Sequence, residues 1–374
     1  MAVSPAETGN TPGSFPTNYN LILERVNAVD AAAYGKTRNF IDGSVTRLSP
    51  YISRGVISTC MVMKHIQAQG YPWYKIEKFI QELAWRDYWQ QIWIVKGDQI
   101  NHDLKREQTD VEHHQIPRSL LDATTGIKAI DRSIRQYYND GYLHNHIRMY
   151  IASIACNVGK SHWKTPARWM FYHLIDGDWA SNALSWQWVA GSNASKKYIA
   201  NQANINRYCS TKQRGTFMDV SYDILSSMPV PTELREHTAL ELTTDLPKTE
   251  PLGINPNLPL HIYNYYNLDP EWRAAEQSNR VLLLEPTLFQ AYPISSNAMR
   301  FMLALAENIN GIQIYVGEFD QLIKDTGIKT VYYKEHPLNN HYTGTEDARD
   351  WMFPVKGYFP SFFGFWKRCK QHLP

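Results

Sequence analysis

The sequence lacks the features that would place it in a membrane, in an oxidising compartment or on a metal ion. Its four cysteines, Cys60, Cys156, Cys209 and Cys369, lie far apart and form no CxxC pair, which argues against zinc and iron–sulfur sites and against a disulfide framework. No apolar run is long enough to span a bilayer, and the N-terminal stretch lacks the apolar core of a signal peptide. We therefore expect a cytoplasmic monomer with no metal ion and no membrane partner.

Several common catalytic motifs are also missing. There is no GxxxxGK[ST] phosphate loop, no GxGxxG after a strand, no GxSxG nucleophile elbow and no Cys/His pair at catalytic spacing. His144 and His146 are two residues apart, so on a helix they point in different directions, and no third ligand has suitable spacing. These absences argue against the nucleotide-binding, hydrolase and metalloenzyme classes that the motifs define.

Aromatic residues, in contrast, are abundant, with 12 Trp and 23 Tyr among 374 residues. They serve either a large core or a protein that stacks on bases, holds a flat cofactor or passes electrons. The net charge is only +2, but residues 1–228 carry 25 Lys and Arg against 19 Asp and Glu, whereas residues 229–374 carry 13 against 17. A polyanionic partner would therefore contact the first part of the chain.

The apolar pattern divides the chain into four regions. Helical spacing dominates the second region, whereas three buried strands (RVLLLEP, GIQIYVG and KTVYYKE) alternate with two helices in the fourth, as in a parallel α/β layer. We expect a mainly α protein, with an all-helical domain followed by a small α/β domain. The four regions are a tail at 1–17, a helical domain at 18–228, a Pro-, Asn- and Thr-rich linker at 229–278, and the α/β domain at 279–374.

The stretch GDWASNALSWQW, residues 177–188, follows Asp176 directly and brings a second acid, Asp178, close to an amide and to indoles. Asp178, Asn182 and Trp186 are four residues apart and form one stripe on a helix. Because buried polar groups need partners, this stripe is either the polar end of a core helix or the wall of a site for a flat, polar ligand. The stretch alone does not decide between the two.

Three further stretches have similarly open readings. VTRLSP, residues 45–50, joins the hydroxyls of Thr46 and Ser49 to the free N–H groups of a helix start, which suits a phosphate but also an ordinary helix with Ser49 as its N-cap. QELAWRDYW, residues 81–89, is either a binding face or an amphipathic helix with an internal salt bridge. YLHNHIRM, residues 142–149, contains the two histidines discussed above.

Taken in this order, the four stretches resemble the flavin-binding helical domain of DNA photolyases and cryptochromes. The family's TSRLSP, ELxWRE/DFY, GWxHNRxRM and DGDxAxNxxxWQW motifs correspond to VTRLSP, ELAWRDYW, GYLHNHIRM and DGDWASNALSWQW. The resemblance covers about residues 30–200. It implies FAD as the cofactor, with Asp176 held ionised by Arg148 and Asn182 facing flavin N5. The implied cofactor-binding residues are Tyr34, Thr46, Arg47, Leu48, Ser49, Arg86, Arg148, Asp176, Asp178 and Asn182.

The resemblance also implies catalytic and DNA-binding positions. Trp186 corresponds to the indole nearest the flavin in the family's electron relay and Trp163 to the second, whereas the stretch TDVEHHQIP has no Trp for the third. Together with Asn182 and Glu82, these two indoles form the implied catalytic set. The residues implied to contact DNA or a flipped-out pyrimidine dimer are Arg38, Glu82, Trp85, Asn145, Met149 and Trp188.

The implied activity is light-driven repair of cyclobutane pyrimidine dimers in damaged DNA, that is, a deoxyribodipyrimidine photolyase. The alternative is a cryptochrome-like blue-light receptor that binds FAD without repair. The family's usual N-terminal antenna domain has no counterpart before residue 30. The α/β region at 279–374 is similar to the later half of such a domain, which implies a rearranged order and leaves any antenna chromophore open.

Overall fold

Helices dominate the first two-thirds of the protein. The computed structural model describes residues 15–248 and 251–373, so most of the predicted tail lies outside the described residues. The helices of this part are α1 (Tyr19–Asn27), α2 (Ala31–Thr37), α3 (Ser49–Ser53), α4 (Thr59–Ala68), α5 (Trp73–Lys96), α6 (Arg118–Leu121), α7 (Lys128–Asp140), α8 (Asn145–Ser153), α9 (Lys164–His173), α10 (Trp179–Ala190), α11 (Gln202–Tyr208) and α12 (Tyr222–Ser227).

The apolar pattern that begins at Ser49 reads as one continuous helix, but the structure divides it into α3 and α4. Helix α3 ends after five residues, and α4 starts six residues later with Ser58 as its N-cap. Gly55 causes the break, because its φ of +66° is a left-handed conformation, and a Cβ there would lie 2.4 Å from the Tyr266 carbonyl oxygen. The interruption brings the chain against the segment that follows the first strand of the main sheet.

The rest of the protein forms a five-stranded parallel sheet with flanking helices. A two-residue strand β1 (Ile116–Pro117) pairs antiparallel with β2 (His237–Thr238), before the main sheet begins. The sheet has the order β5-β4-β3-β6-β7. Its elements are β3 (Leu260–Tyr263), β4 (Asn279–Leu284), β5 (Ile312–Val316), β6 (Val331–Lys334) and β7 (Thr345–Asp347), with α13 (Pro286–Ala291), α14 (Ser296–Ala306), α15 (Phe319–Thr326) and α16 (Phe362–Cys369) around it.

The predicted strands and helices of the α/β region are present as β4, β5, β6, α14 and α15, and the structure corrects the prediction at two strands. Strand β3 is buried and central, although it lies within the predicted linker at 229–278. A Pro- and Asn-rich stretch precedes it, and its four residues are too short for a periodic signal. The outer strand β7 was not predicted either. The remaining boundaries of the four regions stay a prediction.

The two parts share a core. Alternate residues of the sheet face opposite sides, so Leu282 and Leu284 belong to the apolar cluster that runs through the helices, whereas Val281 and Leu283 belong to a second cluster on the other side. A polar contact also connects the helical part to the segment that follows β7. Asp87 on α5 accepts a hydrogen bond from the Met352 amide at 3.0 Å. One face of the sheet is thus packed on the helical part.

Candidate functional site: a polar cleft between the helices

A deep cleft opens between α2, α5, α8 and α10. It encloses about 1740 Å³ of space, part of it open to solvent. All of the predicted site residues except Trp163 line it, from stretches more than 150 residues apart in the sequence. The predicted residues in the cleft wall are Tyr34, Arg38, Thr46, Arg47, Leu48, Ser49, Glu82, Trp85, Arg86, Asn145, Arg148, Met149, Asp176, Asp178, Asn182, Trp186 and Trp188.

A buried ion pair forms one wall of the cleft. The Arg148 Nη2 atom lies 3.0 and 2.8 Å from the two carboxylate oxygens of Asp176, whose side chain is almost fully buried. Burial alone would raise the pKa of Asp176, but the charge and hydrogen bonds of Arg148, together with a hydrogen bond from Ser49, lower it. The carboxylate is therefore ionised and fixed in orientation, ready to accept a further hydrogen bond from a ligand.

The next acid, Asp178, caps α10 rather than lying within it. Its carboxylate accepts a hydrogen bond from the Ser181 amide at 2.7 Å and another from the Gln90 side chain. Gln90 in turn accepts a 2.6 Å hydrogen bond from Arg349, beyond the last strand of the sheet. The sheet region therefore helps to hold this wall of the cleft in place.

Beneath the turn that carries the two acids lies a buried arginine. Arg54 is 1% exposed, donates a hydrogen bond to the Gly177 carbonyl, and stacks its guanidinium 3.3 Å from the centre of the Tyr265 ring. Burial lowers its pKa to about 10, so the group is still cationic at neutral pH. Its charge supports the acidic turn from the side away from the cleft.

The VTRLSP stretch does not form the capped helix start that its sequence predicts. The N-cap of α3 is Leu48, without a side-chain hydrogen bond. Thr46 accepts a hydrogen bond from the Leu48 amide at 3.4 Å, and Arg47 has a left-handed φ of 53°. Ser49 lines the cleft together with Asp176, and it is among the groups that lower the pKa of that carboxylate.

Of the predicted electron-relay residues, one lines the cleft and the other lies outside it. Asn182 and Trp186 line the cleft on α10, where Asn182 donates a 2.9 Å hydrogen bond to the Ala167 carbonyl. Trp163 is fully buried outside the cleft, with its indole N–H 2.7 Å from an Asp103 oxygen. Burial raises the pKa of Asp103, but hydrogen bonds from neighbours that include His162 and Trp163 outweigh it and lower the pKa to about 2.

The predicted DNA-side residues are already engaged with protein partners. Glu82 pairs with Lys78 at 2.9 Å and Arg38 at 3.4 Å, and no Glu82–Arg86 bridge is recorded among the described residues. Trp85 stacks on Phe362 of α16, with the ring centres 3.8 Å apart and the planes 9° apart. One face of this indole is therefore covered.

The remaining DNA-side residues lie at the mouth of the cleft. The Asn145 amide reaches the Met149 sulfur at 3.8 Å, and Trp188 is 38% exposed. Burial lowers the pKa of the neighbouring His144 to about 4, so this imidazole is neutral at pH 7. The mouth thus offers an amide, a thioether and an exposed indole, without a cationic histidine beside them.

Sequence reasoning missed several residues of the site. Trp89 and Tyr142 line the cleft, and Gln90 and Arg349 hold its acidic wall. Trp89 lies one helical turn after Trp85, a spacing that could have indicated it. No local signal could have indicated Arg349, because its contact with the site depends on tertiary packing.

Residues 15–248 and 251–373 contain neither a metal-binding cluster nor a membrane-spanning helix. No group of three or more His, Cys, Asp or Glu side chains there is arranged to hold a metal ion. No helix in these ranges combines the length and apolar character needed to cross a membrane.

Comparisons with known proteins match the helical part of the chain. Residues 79–226 fit the family model described as the FAD binding domain of DNA photolyase. Deoxyribodipyrimidine photo-lyase from Streptomyces griseus is 31% identical over 160 residues, which is 41% of this chain and 34% of the relative. Cryptochrome DASH from Ostreococcus tauri is 30% identical over 193 residues, which is 49% of this chain and 33% of that protein.

Among solved structures, a Synechocystis sp. PCC6803 cryptochrome covers 52% of this chain and 44% of its own length, with a TM-score of 0.45 and 20% identity. The matched part of this chain spans about a third of the length of the two relatives.

Proposed function

We propose, from the match of residues 79–226 to the family model of the FAD binding domain of DNA photolyase, that the protein is a light-driven, FAD-dependent enzyme that splits cyclobutane pyrimidine dimers in DNA. When bound and reduced, FAD supplies the electron that the dimer accepts under light. The chain supplies binding and orientation.

The observation that carries the proposal is the convergence of two residue sets in one cleft. Residues suited to a flavin lie inside, around the buried pair Arg148–Asp176. Residues suited to a splayed dimer, such as Trp85 and Trp188, line the same cleft. A cofactor and a base lesion placed in one cleft are close enough for direct electron transfer, which a flavoprotein without a substrate would not need.

The cleft fits the flavin by the chemistry of its donors and acceptors. We propose that Asp176, ionised by Arg148, accepts a hydrogen bond from the polar edge of the ring, and that the Asn182 amide faces N5. We assign the adenosine and phosphate side to Tyr34 and to residues 46–49. Arg86, held by Ser53 at 2.9 Å, keeps a positive charge in the same wall.

The lesion would enter through the exposed end of the cleft. Extruded bases are recognised by stacking on aromatic rings and by hydrogen bonds to their edges. Trp188 provides an exposed ring, and Glu82 and Asn145 provide the polar contacts. Asn145 follows His144, as in the cyclobutane-dimer branch of the family, and the low pKa of His144 leaves that imidazole uncharged at neutral pH.

A cryptochrome-like receptor is the second candidate, and a specific observation favours it. Glu82 already pairs with Arg38 and Lys78, and Trp85 already stacks on Phe362. A protein that only binds FAD would tolerate a lesion pocket closed by such contacts. Repair requires that the free face of Trp85 and the carboxylate of Glu82 are still accessible to a base.

Spectroscopy and a repair assay separate these candidates. The purified protein should show a flavin absorption spectrum, and under blue light with a reductant it should restore normal bases in an oligonucleotide that contains one cyclobutane dimer. An identical sample kept in the dark is the control. Bound flavin without repair would favour the receptor, and the absence of flavin from the folded protein would rule out both candidates.

A further inference from the structure

The last 24 residues have a charge opposite to that of the region before them. Residues 229–350 carry 9 Lys and Arg against 17 Asp and Glu, whereas residues 351–374 carry Lys356, Lys367, Arg368 and Lys370 and no acid. This local excess of cations in an otherwise acidic region presents a positive charge that an anionic partner could contact.

Helix α16 has one buried face and one exposed face. Its apolar residues at helical spacing, Phe362, Phe365, Trp366 and Cys369, are buried in the shared core. Phe363 is 68% exposed, the most exposed of the large aromatic residues of the helices described above except Tyr74.

The exposed face combines this aromatic ring with cations. Lys367 follows Phe363 by one turn and Lys370 by two, so the three form a stripe. Lys370 lies 3.9 Å from Glu77, and in the described part of the chain Lys367 and Arg368 have no carboxylate within 4 Å. We call Phe363, Lys367 and Lys370 the α16 stripe.

The α16 stripe adjoins the mouth of the cleft. Phe363 contacts Phe362 with ring centres 5.6 Å apart, and Phe362 stacks on Trp85, whose indole lines the cleft. Two successive ring contacts thus connect the exposed phenyl ring to the lesion side of the site.

We propose that the α16 stripe is part of the DNA-binding face, with Phe363 stacking on bases beside the extruded lesion and Lys367 and Lys370 contacting the backbone phosphates. The inference rests on the proposed function and extends the DNA contacts to a region outside the FAD-binding domain. Aromatic rings stack on unpaired bases without regard to sequence, and lysines next to them bind phosphates electrostatically. Flipping a dimer out of a duplex leaves its neighbours without stacking partners, which is the surface that an exposed phenyl ring fits.

Measurements of DNA binding in the dark test the proposed role of the α16 stripe without any repair of the dimer. The holoprotein is titrated into a labelled duplex with one cyclobutane dimer and into the same duplex without damage, with fluorescence anisotropy as the readout. Phe363→Ala should weaken binding to the damaged duplex by roughly 5- to 100-fold, because one base-stacking contact is lost. Binding to the undamaged duplex should change much less. Phe363→Trp, which keeps an aromatic ring, should bind the damaged duplex as tightly as the wild type.

The lysines should act differently from the phenyl ring. Lys367→Ala combined with Lys370→Ala should weaken binding to both duplexes alike and lower the slope of log affinity against log salt by about 2. The matched control is Lys324→Ala with Lys329→Ala, two exposed lysines of the α/β region outside the cleft wall, which should leave both affinities unchanged. Flavin content and melting temperature report that each variant is folded.

The outcomes separate this inference from the function on which it rests. If the wild type binds the damaged duplex no better than the undamaged one, both ideas are wrong. If the wild type discriminates and Phe363→Ala discriminates equally well, only the α16 inference is overturned, and the stripe then serves a partner other than DNA.

Discussion

At the scale of single residues, the ion pair with Arg148 is what allows the Asp176 carboxylate to remain charged while buried in the cleft wall. Arg148→Met should lower the free energy of unfolding by about 3–5 kcal/mol, because it leaves the Asp176 carboxylate buried without its partner. The double variant Arg148→Met/Asp176→Asn should recover part of this loss, since a neutral amide costs less to bury. Urea unfolding of both variants measures the difference, and equal losses would contradict the assignment.

Asp87 gives the stability a dependence on pH. Burial raises its pKa from 3.8 to about 6, against the opposing hydrogen bonds from Met352 and Thr59. A carboxyl whose pKa is higher in the folded state stabilises the fold below pH 4, and this contribution fades as the pH rises through about 6. Between pH 4.5 and 7, Asp87→Asn should therefore gain about 2 kcal/mol of stability relative to the wild type. Urea titrations at the two pH values test this, and an unchanged difference would mean that Asp87 is already ionised at pH 4.5.

Trp186 is the residue whose removal tests the electron relay. Trp186→Phe keeps an aromatic ring in the cleft but removes the readily oxidised indole, so flavin binding should persist while photoreduction becomes far slower. Trp188→Phe is the matched control, because that indole lies on the same helix at the exposed end. Photoreduction followed by the loss of flavin absorbance distinguishes the two, and an unaffected Trp186→Phe would exclude this residue from the relay.

The site residues that the sequence could predict share one property. Arg148, Asp176 and Asn182 lie in short motifs that can be recognised from the order and spacing of residues in the sequence. The structure brings all three to one cleft. Arg349 and Gln90 were not predictable, because their positions depend on how the sheet region packs on α5. The local pattern makes Ser49 a plausible N-cap, but the N-cap of α3 is Leu48.

At the scale of elements, the break between α3 and α4 sets the position of Arg54 and therefore of the acidic turn. Gly55→Ala should lower the free energy of unfolding by more than about 2 kcal/mol, because it adds backbone strain to a clash with the Tyr266 carbonyl. Gly70→Ala is the control, since Gly70 also has a positive φ, of +73°, but nothing lies within 4 Å of the added carbon. It should cost about 1 kcal/mol. Thermal and urea unfolding compare the two, and equal costs would mean that the contact with Tyr266 is relaxed.

Strand β3 shows the limit of element prediction. The alternation of strands and helices predicted β4, β5 and β6 well, because each is a run of apolar residues bounded by turn residues. The central strand has only four residues and includes His261, which is fully buried. Its pairing with β4 and β6 is what defines it, and pairing is not encoded in local periodicity.

At the scale of the whole molecule, the shared core predicts a single cooperative unit. Sheet residues such as Leu282 belong to the same apolar cluster as the helices, and the Met352 amide donates a hydrogen bond to Asp87 on α5. Far-ultraviolet circular dichroism and flavin release should therefore follow one unfolding transition with the same midpoint. Flavin release that precedes the loss of helicity, with two separate midpoints, would indicate two independent domains instead.

The hydrogen bond from Arg349 to Gln90 also has a consequence for how the protein is made. Residues 79–226 leave the ribosome long before residue 349. During that time Gln90, which donates a hydrogen bond to Asp178, lacks its own hydrogen bond from Arg349. The acidic wall is complete only after residue 349 has been synthesised. We therefore expect stalled nascent chains that end before residue 349 to retain the flavin poorly.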